Sequence, residues 1–107
     1  MKIDVLGTDY DFYFANNVEM EDSSNIGECD RYGKSIKINL EYFRQKNMKI
    51  DAIHQTIRHE VLHAFLHEAG LDCYAEDEIL VDALAILFPK IHQCFGRLKY
   101  KEEQNDE

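Results

Sequence analysis

The sequence predicts an α+β fold: a small antiparallel sheet of hairpins packed on two long helices. Three observations point there. Apolar and polar residues alternate in the N-terminal third, the period of half-buried strands. After Leu40 the apolar residues recur every three to four positions, the period of a helix. Turn-forming residues separate the alternating runs, and helix-starting and helix-stopping residues bound the later ones.

The elements follow in order. Ile3 and Val5 alternate with polar neighbours, and Gly7-Thr8-Asp9 supplies a turn. Tyr10, Phe12 and Phe14 then share one side, with Asp9, Asp11 and Tyr13 on the other, completing a first hairpin. Residues 15–25 are polar and read as a loop or a short helix. A second hairpin runs over residues 27–30, a turn at 31–34, and residues 35–39, where Ile36 and Ile38 share a face. Asp51 is the expected N-cap of a long helix that ends near Ala69, with Gly70 as its terminator. Its stripe is Ile53, Ile57, Val61 and Ala64, widened by Leu62, Phe65 and Leu66, so its second half should be buried. A second helix should start near Ala75, be kinked or interrupted at Pro89, and resume to about Leu98.

A chain of 107 residues with 45 % apolar content suits one packed domain, taken as residues 1–100, with 101–107 as a flexible acidic tail. The net charge of −9, with scattered basic residues, speaks against direct binding to nucleic acid or an anionic membrane. Cys29, Cys73 and Cys94 are an odd, widely spaced set with no C-x-x-C pair, which reads as free thiols in a reducing cytoplasm. No apolar stretch follows Met1, and the longest apolar run, residues 83–88, is too short to span a bilayer.

The chemistry concentrates at His59-Glu60-Val61-Leu62-His63, an H-E-x-x-H motif on the first long helix. Four residues advance a helix by about 400°, which leaves the two imidazoles on one face, roughly 6 Å apart. Both can then reach one Zn²⁺ ion with bonds of about 2.0–2.1 Å. Glu60 stands beside the first histidine, close enough to meet a water on the metal. A chance match would sit on a polar helix, whereas this one lies among Ile57, Val61, Leu62, Ala64, Phe65 and Leu66. A carboxylate buried there is costly without compensation, and a divalent cation compensates it.

A catalytic zinc needs a third protein ligand and an open position. Glu78 and Asp82 stand four apart on the second helix and share a face. One can bind the metal while the other accepts a histidine Nδ1–H and fixes the ring. The bland alternative is that both belong to a solvated acidic run with Glu76 and Asp77, which are also the fallback ligands.

On these residues the chain resembles the ImmA/IrrE-type minimal zincins, metallopeptidase domains common in phage and mobile elements. The likeness is carried by residues 55–64, by Glu78-Ile79-Leu80-Val81-Asp82-Ala83-Leu84-Ala85, and by the hairpin of residues 27–39, and it covers about residues 2–90. Val81 and Leu84 depart from the family's usual Ala and Phe. The resemblance implies a minimal zincin core and zinc-dependent hydrolysis of a peptide bond in a protein partner. It assigns His59, His63 and Glu78 as zinc ligands, Glu60 as general base and Asp82 as a support to a ligand. By the same analogy residues 35–39 border the cleft and pair with an extended peptide. The competing functions are a zinc-binding phage or mobile-element interaction protein with weak or lost catalysis, and a structural protein with an accidental motif.

The remaining candidates read as ordinary. His67 continues the histidine stripe, but one straight helix cannot supply three ligands to a tetrahedral ion, so it is a rim or core residue. His54 and His92 read as surface or packing residues. Tyr74 is a candidate oxyanion donor and Cys73 a candidate blocking thiolate, each against a plainer structural role. Tyr32, Tyr42 and Tyr100 carry no functional signal.

Overall fold

A computed structural model describes residues 1–100; the expected tail, 101–107, lies outside the described residues. The order is β1 (Lys2–Val5), β2 (Thr8–Ala15), a single 3-10 turn (Asn17–Glu19), β3 (Gly27–Asp30), β4 (Ser35–Asn39), α1 (Leu40–Gln45), α2 (Ile50–Glu68), α3 (Asp72–Ala75) and α4 (Glu78–Arg97).

The fold class is α+β, as the periodicities predict, but the sheet is mixed. Its strand order is β1-β2-β4-β3; β1–β2 and β3–β4 are antiparallel hairpins, while β2 and β4 run parallel. The reason lies in composition. β4 carries Ile36 and Ile38, both fully buried, and takes an interior place; β3, Gly-Glu-Cys-Asp, is more polar and takes the edge. Residues 35–39 are therefore flanked on both sides, and the edge strands are β1 and β3, with β3 the one beside the cleft.

The first turn is Leu6–Gly7, at φ 52° and 91°, rather than Gly7-Thr8-Asp9; Asp4 Oδ1 accepts from Gly7 N at 2.7 Å and holds it. The core is Val5, Tyr10, Ile36, Ile38, Phe43 and Ala64, with Ile53, Ile57, Val61 and Phe65 of α2 closing over it. Buried Asn39 ends β4 and caps α1 by accepting from Tyr42 N, while its amide donates to Asn17 Oδ1 and the Asn25 carbonyl.

Lys49, not Asp51, caps α2; Asp51 lies in the first turn, where its charge meets the positive end of the helix. At the other end Gly70 adopts φ 80°, with Leu71 N bonded to Leu66 O and Gly70 N to His67 O, a Schellman close. The second half of α2 is half-buried rather than sealed. The predicted start of the next helix at Ala75 falls instead in α3. α4 begins at Glu78, capped by Asp77, which accepts from Leu80 N.

α4 also runs unbroken through Pro89. Proline lacks the N–H that would bond the Ala85 carbonyl four residues back. Arg58 of α2 replaces it, donating from Nε to Ala85 O at 2.7 Å, so the helix keeps its course and is tied to α2 at that point. Beyond Ala85 the helix leaves the body: residues 86–100 are all exposed, and the molecule measures 61 × 33 × 27 Å. By length and composition α4 is apolar enough to cross a membrane, although Glu78 and Asp82 sit in its first turns.

Candidate metal centre

α2 and α4 pack side by side, and their facing residues build the site. His59 and His63 leave one face of α2 with their Nε2 atoms 3.0 Å apart. Glu78 straddles them from α4, with Oε1 3.0 Å from His59 Nε2 and Oε2 3.3 Å from His63 Nε2. Ligand atoms of the three residues all lie within 4.8 Å of one another, a grouping able to hold a metal ion.

The far side of each ring is also engaged. His63 Nδ1 lies 2.7 Å from the carbonyl of Ala75, which can only accept, so that nitrogen carries the proton. His59 Nδ1 lies 2.8 Å from Asp82 Oδ1, an acceptor when ionised. With both protons assigned to Nδ1, the two Nε2 atoms of neutral rings present lone pairs. Two lone pairs and a carboxylate then converge with no donor among them, an arrangement that only a cation or an added proton relieves. The donor set fits a metal. Two imidazole nitrogens and one carboxylate suit zinc, and nitrogens sharing a tetrahedral ion stand about 3.3 Å apart.

Glu60 lies on the adjacent face and reaches the same cleft, only 7 % exposed. Burial pushes its carboxyl up to about 8, with the charges of Glu78 and Glu28 adding to the shift. Its place depends on Gly27 in β3. A Cβ there would meet Glu60 Cγ at 2.8 Å, Glu60 Oε2 at 2.9 Å and Thr56 Cγ2 at 3.1 Å, so only glycine lets the carboxylate lie against the strand.

The cleft is open, about 1190 Å³, and is walled by β3, α2 and the start of α4. His67 sits at its far end, away from the ligand group. Its Nδ1 lies 2.9 Å from Asp72 Oδ1 and 2.9 Å from Arg31, which pairs with the same carboxylate at 2.8 Å. The hydrogen bond to His67, with help from Arg31, holds Asp72 below the usual carboxylate range. Of the fallback ligands, Glu76 approaches His67 Nε2 at 3.6 Å and Asp77 caps α4. Tyr74 and Cys73 are exposed and line no part of this cleft; His54 and His92 are exposed elsewhere.

Cleft residues that the sequence did not mark include Gly27, Arg31, Tyr32, Lys37, Tyr42 and Ala75. The turn between the hairpin strands could have pointed to Arg31 and Tyr32; Ala75 acts through its backbone and leaves no side-chain signal. Cys29 also lines the cleft, and burial raises its thiol to about 12. No family model, curated protein or solved structure matches this chain.

Proposed function

We propose that this chain is a zinc-dependent metalloendopeptidase of the minimal-zincin kind, acting on a protein partner in the cytoplasm. The observation that carries the reading is the convergence of His59 Nε2, His63 Nε2 and the Glu78 carboxylate, with the far nitrogen of each ring held by an acceptor. These three residues would hold the ion. Bound there, Zn²⁺ supplies Lewis-acid polarisation of a carbonyl and acidifies a water.

The chain's own residues do the rest. Asp82 and the Ala75 carbonyl hold the two rings by their Nδ1–H groups and keep Nε2 turned inward. A cation held there would offset the charge of Glu78 and favour the ionised form of Glu60, which takes a proton from the attacking water onto a carboxylate oxygen and hands it to the departing amine. The unpaired edge of β3 borders the cleft and aligns an extended peptide by backbone hydrogen bonds, a role that fits β3 rather than β4.

The test is metal content joined to turnover. The purified chain is expected to take up one zinc per molecule, and His59→Ala to lose it. Glu60→Gln should keep the metal and stop cleavage of a fluorogenic peptide library. Zinc uptake without cleavage by the wild type would make the chain a binding module instead, and failure to take up zinc would end the hydrolytic reading.

A further inference from the structure

The exposed half of α4 has no role in the metal centre. Leu84, the neighbours Leu87 and Phe88, Ile91, Phe95 and Leu98 recur every three to four positions, a continuous stripe about 21 Å long. The last five are 49, 45, 38, 67 and 70 % exposed. Pro89 and Gly96, seven apart, fall on the opposite, outward line. At roughly 200 Å² for a large apolar residue, the five leave about 500 Å² of apolar surface uncovered on one face.

We propose that this face pairs with the same face of a second copy, antiparallel, across a two-fold axis near Ile91. Other occupants fit less well. Residues 101–107, Lys-Glu-Glu-Gln-Asn-Asp-Glu, hold no apolar side chain with which to cover the stripe. A bilayer would need the whole of α4, which would carry Glu78 and Asp82 into hydrocarbon. Residues 86–100 alone span only about 22 Å against a core of about 30 Å.

A second copy matches in area and register. Two stripes together bury about 1,000 Å², the lower bound for a specific interface. Pairing about Ile91 sets Phe95 against Leu87 and Phe88 against Cys94, so a large ring meets a smaller side chain, and sets Leu98 against Leu84. The protruding half carries Lys90, Arg97 and Lys99 and no acidic residue, whereas the chain as a whole is at −9.

Sedimentation velocity of the full chain across the micromolar range tests this. A dimer of twice 12.6 kDa is expected, dissociating on dilution. Ile91→Glu with Phe95→Glu should give a monomer with unchanged helical circular dichroism. In a Cys73→Ser, Cys94→Ser background, Ile91→Cys should cross-link two copies on mild oxidation, and Gly96→Cys should not. A wild-type chain that stays monomeric throughout, or equal cross-linking from Gly96→Cys, would overturn the proposal.

Discussion

Two carboxylates leave α2 about two turns apart, Glu60 and Glu68, and the protein treats them in opposite ways. Glu68 is surrounded by donors: Lys34 Nζ at 2.6 Å, the Tyr10 hydroxyl at 2.7 Å and Thr8 Oγ1 at 3.2 Å. The hydrogen bonds from Lys34 and Tyr10 hold it below the usual carboxylate range. Glu60 is buried, and no hydrogen bond contributes to its shift, which burial drives upward. One carboxylate is satisfied and binds the sheet to the helix. The other is left with unfilled acceptor capacity, beside the convergent histidines and facing the cleft. A residue type thus acquires its role from the donors around it, and the unsatisfied member of the pair is the one placed for chemistry.

Substituting each in turn should separate the two roles, and this is the largest effect expected. Glu60→Gln keeps the volume and removes a group that is costly to ionise where it stands, so thermal stability should hold or rise. Under the proposed function, peptide hydrolysis should fall by about 10²–10⁴-fold. Glu68→Gln should retain hydrolysis and lower Tm by several degrees. Melting curves and turnover on the same preparations decide the matter; if the two variants exchanged phenotypes, the assignment of roles would be reversed.

Gly27→Ala attacks Glu60 without touching it. The new Cβ falls within 3 Å of Glu60 Cγ and Oε2, and the flexible side chain yields more readily than β3 does. Activity should drop by about tenfold or more, with zinc retained, for a stability cost of about 1–2 kcal/mol. The matching probe at the other carboxylate is Thr8→Val, which removes the longest of Glu68's three hydrogen bonds and should leave turnover intact.

Of this contrast the sequence marked Glu60 and its neighbours but not Glu68, and the missing part has a physical pattern. The spacing of His59 and His63, and of Glu78 and Asp82, obeys a rule internal to one helix, and in each case the structure has the pair on one face. What brings the two faces together is not local. The Ala75 carbonyl meets His63 only because Gly70 reverses the chain and α3 turns it again. The parallel pairing of β2 with β4 depends on which hairpin strand is greasier, not on either hairpin's own pattern. The stripe of α4 is plain in the sequence, but periodicity does not say what lies opposite it, and among the described residues nothing buries residues 86–100.

Pro89 shows a local rule overruled. The residue forbids one hydrogen bond, and Arg58, next in sequence to His59, supplies it from the neighbouring helix. Arg58→Ala should leave the buried Ala85 carbonyl unpaired and cost about 1–3 kcal/mol. Restoring the missing N–H with Pro89→Ala should recover part of that loss, so the double variant is more stable than additivity predicts. The same pair tests how firmly α4 presents Glu78. If zinc affinity falls in Arg58→Ala and returns in the double variant, the contact positions the ligand; additive losses would show that Arg58 acts by other means.

The smallest effect is a pH signature confined to Glu68. Its folded pKa lies below the ordinary 4.5, so ionisation favours the folded chain. That contribution is fully present above the unfolded value and disappears as pH falls through the depressed folded value. The Tm gap between wild type and Glu68→Gln should therefore be constant from neutral pH down to about 5.5 and narrow below about 4.5. Asp72, also held low, titrates in both proteins and drops out of the difference. A gap that widened on acidification would mean that the Lys34 and Tyr10 contacts do not favour the ionised form, and Glu68 would lose its standing as the satisfied member of the pair.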